Sequence, residues 1–161
     1  MTINKILIGI DDSKYAEHAA EYGFDIARKF NAAVGLVNIV EPILMPQMSG
    51  GIDPIGTMPQ VSSGIEEVEM LDIQKSQSEN IVDRTIQKLA GDLEVTHFTE
   101  YGSTADGIID CSKEFNADLI VIGTHNRTGL DRLLMGSVAE HVVRHSKVPV
   151  LVVPFKESES Q

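Results

Sequence analysis

The residues best suited to chemistry lie between Gly123 and Val138. Gly123-Thr124-His125-Asn126-Arg127 open this stretch and Gly136-Ser137-Val138 close it. Gly123 ends the apolar run Leu119-Ile120-Val121-Ile122, and its missing Cβ lets another group approach the main chain closely. Gly136-Ser137 begins a segment of helical period. The first amides of a helix have no partner within it, and the dipole places positive charge there, so such an end suits a phosphate. Ser137 adds a hydroxyl donor, and Arg127 is a cation within reach of the loop. A second cluster, Asp11-Asp12-Ser13, follows the first apolar run; these side chains can meet a ligand or cap the helix that starts there.

No catalytic set stands beside these anion-holding residues. The chain has no Gly-x-x-x-x-Gly-Lys-Ser/Thr, no Gly-x-Gly-x-x-Gly after the first strand, no serine elbow and no pair of cysteines. His141 and His145 have a spacing able to chelate a metal on a helix. The intervening Val142-Val143-Arg144 lacks the glutamate of a zinc-protease helix and no third ligand is suggested, so the pair reads as a polar helix face. Asp106 and Asp110 read as solvated, and Cys111, among apolar neighbours, as a small hydrophobe.

The elements that must position these residues alternate between β-branched apolar runs and helix-period segments, the pattern of βα units in a buried parallel sheet. Strands are expected at Lys5–Ile10, Val34–Val40, Leu93–Thr99, Leu119–Ile122 and Val148–Val153. Helices are expected from about Ser13 to Phe30, Ile65 to Leu89, Ser103 or Thr104 to Phe115, and Gly136 to His145. Ala16, Ala19, Ala20, Gly23, Ile26, Ala27 and Phe30 share one face of the first helix; Val68, Leu71 or Ile73, Ile81, Ile86 and Leu89 are core candidates in the second. Pro149 and Pro154 remove ladder donors, which puts the last strand at a sheet edge. Residues 42–64, rich in Pro, Gly and Met, read as a long loop, and 156–161 as a polar tail on one domain spanning 1–155.

Bulk properties narrow the partners. The 161 residues are 42% hydrophobic, enough to bury a core. A net charge of −11, with 13 Lys+Arg against 24 Asp+Glu, leaves little for a polynucleotide-binding face, and the absence of Trp removes the best base-stacking platform. A single phosphate is a different matter, because main-chain amides act at contact while distant charge is screened over roughly 8 Å. A lone cysteine fits a reducing compartment, no segment has the length of a bilayer span and no secretory leader is visible, so the expected location is cytoplasmic.

With these residues in view, the chain resembles the universal stress protein family, in its ATP-binding branch. That branch carries Gly-x-x-Gly, nine residues, then Gly-Ser/Thr; here Gly123, Gly136 and Ser137 match in place, and nine residues separate Asn126 from Gly136. Lys5–Ser13 with Asp11, the Asp118–Gly123 strand and Pro149–Val153 also look like the family, and the likeness covers about 1–41 and 92–155. It implies an open α/β fold, Rossmann-like, with a five-stranded parallel sheet in the order 3-2-1-4-5 and helices on both faces. It implies ATP or another adenine nucleotide with its base near Ile10 and Ile39, its ribose near Asp11 and Ile122–Gly123, and Gly9 among the nucleotide-binding residues. Its phosphates would rest on Asn126–Arg127 and Gly136–Val138, and Asp11 would help hold Mg²⁺. Asn126 departs from the family's second glycine; Asn is the residue after Gly that best tolerates a left-handed backbone.

The expected role is a nucleotide-dependent regulator in the stress response, a homodimer joined along Val148–Val153 and acting on an unidentified protein partner. A slow ATPase using the same pocket, and an interaction domain that binds no nucleotide, are the alternatives.

Overall fold

The computed structural model describes residues 2–42, 64–124 and 135–155. Five parallel strands form one sheet in the order β3-β2-β1-β4-β5, as expected. They are β1 (Lys5–Gly9), β2 (Ala33–Val40), β3 (Val95–Tyr101), β4 (Leu119–Gly123) and β5 (Val150–Val153). The helices between them are α1 (Lys14–Phe30), α2 (Gly64–Leu89), α3 (Thr104–Phe115) and α4 (Ser137–His145).

β1 is central because both of its neighbours bury it. Ile6, Leu7 and Ile8 have no exposed surface, and they alternate between two cores. Ile6 and Ile8 pack with Phe24, Ala20, Val34 and Val82 under α1 and α2. Leu7 packs with Ile108, Phe115, Ile120 and Val142 under α3 and α4. Each such fully buried aliphatic or aromatic side chain contributes about 1.5–3 kcal/mol, which is what holds helices to both faces.

Two helical stripes differ from expectation. Phe30 is 53% exposed, and Phe24 takes the buried place in α1, six residues earlier. In α2, Val68, Leu71 and Ile73 are exposed, while Val82 is buried and Ile81, Ile86 and Leu89 pack against the first core. The weak alternation of β3 misplaced its bounds: it runs from Val95, because its partner residues Val34–Val40 fix its register up to Tyr101. β5 is the edge strand that its prolines foretold, with Pro149 and Pro154 just outside it. Of the long-loop segment, residues 43–63 lie outside the described residues, as does 156–161. Among the described residues, no helix is long and apolar enough to cross a membrane.

Candidate functional site

The chain order reverses at β1, whose two neighbours β2 and β4 lead to helices on opposite sides, and a crevice opens there at the carboxyl ends of the strands. Its volume is about 730 Å³, within the usual range for small-molecule sites. The floor is apolar: Ile10 and Ile122 are buried and Ile39 is half-buried. Gly9, Asp11, Gly123, Gly136, Ser137 and Val138 complete the set, so every expected site residue within the described regions lines this one crevice. Asn126 and Arg127 lie outside the described residues.

The β1–α1 turn is anchored from below. The Ile10 amide donates to the Val37 carbonyl at 2.9 Å, and Asn38 Nδ2 donates to the Ile10 carbonyl at 2.8 Å. Asn38 is buried, so without that main-chain carbonyl in place its amide would go unsatisfied at a cost of about 1–3 kcal/mol. Beyond Ile10, Asp11 Oδ1 accepts from the Ser13 amide at 2.7 Å and Ser13 Oγ accepts from the Ala16 amide at 3.1 Å. The N-terminus of α1 is thus capped by its own residues, as the sequence suggested for Ser13.

Gly123 has a different reason to be glycine from ligand approach alone. A Cβ there would lie 2.5 Å from the main-chain oxygen of Tyr15. Main chain cannot yield as a side-chain tip can, so Gly123 is what lets the first turn of α1 rest against the end of β4. That contact makes Tyr15 and Ala16 a wall of the crevice.

Three helices, α1, α3 and α4, begin at the crevice. α1 is capped by Ser13 and Asp11. At α3, Glu41 supplies the acceptor: its Oε1 receives the Thr104 amide at 3.3 Å and the Thr104 hydroxyl at 2.6 Å. At α4 the cap residue is Gly136, which brings no side chain, and among the described residues no side-chain cap bond forms. The first intrahelical bond of α4 runs from the Glu140 amide to the Gly136 carbonyl at 3.0 Å. The amides of Ser137, Val138 and Ala139 therefore precede the helical ladder, with Ser137 exposed to the crevice. Gly136 has φ −51°, a value open to any residue, so the backbone angle does not itself require glycine there.

The carboxylates of Asp11, Glu41 and Glu140 line the same space, and Glu140 is paired with Arg144 at 2.8 Å. Exposed charges such as these act weakly across the crevice, whereas an amide donating directly to a charged oxygen contributes about 1.5–3 kcal/mol. Contact outweighs distance, so these carboxylates do not by themselves bar an anion from the α4 end.

Thr104 and Glu140 are crevice residues to which sequence reasoning gave no role at the site. Thr104 was visible as a helix opener, but its bond to Glu41, just past the end of β2, joins residues 63 apart, which no local pattern reveals. The histidine pair behaves as expected: His141 Nε2 lies 3.0 Å from Asp106 Oδ1, and His145 Nδ1 lies 2.8 Å from the His141 carbonyl. Asp106 is thereby partnered as well as solvated. Among the described residues no group of three or more ligands is arranged to hold a metal ion.

Comparison with known proteins follows the same lines. The model of the universal stress protein family matches residues 2–154. A universal stress protein of Methanocaldococcus jannaschii is 32% identical over 157 residues, covering 95% of this chain and 84% of that protein. Among solved structures, a universal stress protein in complex with cAMP superposes with a TM-score of 0.59 at 20% identity, covering 96% of this chain and 98% of that one. The universal stress protein from Archaeoglobus fulgidus in complex with dAMP gives 0.55 at 21% identity, with 94% and 98% covered. At these identities the structures speak for the fold.

Proposed function

This chain belongs to the universal stress protein family, and from that premise we propose that it holds ATP, or a related adenine nucleotide, in the crevice above β1 and β4. In this reading it is a nucleotide-dependent regulator in the stress response, acting in the cytoplasm. One observation carries the reading: of the helix ends lining the crevice, α1 and α3 are each capped by a side chain of the protein, whereas among the described residues no side chain caps α4. A phosphate seated on Ser137–Ala139 leaves the apolar floor of Ile10, Ile39 and Ile122 for the base, and Asp11 beside the ribose. The nucleotides solved with the two structural neighbours, cAMP and dAMP, share an adenine and a single phosphate, which supports adenine as the common element.

Mg²⁺ fits the residues present, since it takes one or two carboxylates together with substrate phosphates and Asp11 is an exposed carboxylate in the crevice. Asp11 would hold the ion, which would neutralise phosphate charge against the three acidic side chains around it. Occupancy would then bias a dimer surface along β5, or the surface met by a protein partner.

Titration calorimetry with ATP and Mg²⁺ tests the site. Gly136→Val places a branched side chain over the α4 amides at a backbone angle that valine tolerates, so the variant should fold and bind at least about tenfold more weakly. Equal affinity in the variant would contradict the placement of the phosphate.

A further inference from the structure

We infer that Glu41 is the specificity-determining residue of this crevice: its carboxylate fills the anion seat at the start of α3, so the crevice takes a nucleotide phosphorylated at one position and rejects one with a second phosphate on the ribose. The inference rests on the nucleotide reading above and adds to it a residue and a ligand class.

The chain builds this seat from separate elements. β2 ends at Val40, and Glu41 follows directly. Gly102, at φ +130°, turns the chain after β3 while its amide donates to the Val40 carbonyl at 3.0 Å. That conformation is one L side chains rarely adopt, and it starts α3 beside the end of β2. The residue placed to cap α3, Ser103, makes no side-chain cap bond. Glu41 takes its place, bound to both the amide and the hydroxyl of Thr104. Its own carbonyl accepts from Gln74 Nε2 at 3.3 Å, so α2 holds its main chain and α3 holds its side chain.

α3 and α4 stand side by side, joined by Asp106 and His141, and both begin at the crevice. With Glu41 neutralised or removed, the crevice would offer anions two adjoining helix N-termini. With Glu41 in place one is filled, and the filling group is itself negative. A doubly charged phosphate brought within about 5 Å of that carboxylate loses on the order of tenfold in affinity even at the dielectric of bulk water, and more at that of a protein surface. The ligand is thereby given one orientation, with its phosphate at α4 and an uncharged, donor-bearing end toward Glu41.

Calorimetric titration of the full chain with AMP and with adenosine 3′,5′-bisphosphate reads this directly. The native protein should bind AMP at least about tenfold more tightly than the bisphosphate. Glu41→Gln keeps an oxygen that accepts from Thr104 but loses the charge, and should close that gap by about tenfold; Glu41→Ala should close it as far or further. Equal affinities in the native protein, or a gap unchanged in Glu41→Gln, would overturn the role of Glu41. A native protein that binds neither ligand removes the nucleotide reading and this inference with it, whereas one that binds AMP with an indifferent Glu41 removes only the inference.

Discussion

At the scale of single residues, Cys111 shows how burial sets chemistry. Its side chain is buried on the inner face of α3, and that burial, helped by the carboxylates of Glu100, Glu114 and Asp110, pushes its thiol from the ordinary 9.0 up to about 12. The folded thiol stays protonated where the unfolded one ionises. Its contribution to stability is complete below about pH 9 and is lost as pH rises from there toward 12. Urea unfolding at pH 8 and pH 10.5 should show the native chain losing more stability than Cys111→Ala over that interval; equal losses would contradict it. The quiet role of Cys111 was legible in the sequence because apolar neighbours at helical spacing imply burial. Gly123 was legible as a special position, but not for its reason, because the main-chain oxygen it must clear belongs to Tyr15, 108 residues away along the chain and visible only once α1 has docked.

At the scale of elements, the strands and helices were readable wherever one period dominated. β1, β2 and β4 are nearly continuous apolar runs because both faces of the sheet are covered, and α1 and α3 carry stripes of small and apolar residues. The first half of α2 misled, since Val68, Leu71 and Ile73 have the right type and remain exposed. Edge β5 carries its own consequence. The carbonyls of Pro149 and Val153 accept from β4, so by alternation the amides of Val150 and Val152 point away from the sheet. An edge of that kind invites a second copy of the chain, and we propose that the homodimer forms there. Light scattering at micromolar concentration should give twice the chain mass. Val152→Pro, which removes an outward amide and spares the β4 ladder, should give a monomer. A native monomer would contradict the proposed edge pairing.

At the scale of the whole molecule, an acidic protein is proposed to bind a polyanion, and the two facts are compatible because they act over different ranges. The charge of −11 is spread over a solvated surface, while the α4 amides act at contact in a crevice floored by apolar side chains. The parallel sheet brings α1, α3 and α4 to one edge, and side chains of the protein, Ser13 and Glu41, cap two of their ends. The central claim concerns the third end, and amide chemical shifts report on it most directly. Titrating ¹⁵N-labelled protein with ATP and Mg²⁺ should move the resonances of Ser137, Val138 and Ala139 most, in one saturable process. Saturable binding that leaves those three amides unmoved, or no binding at all, would contradict the account.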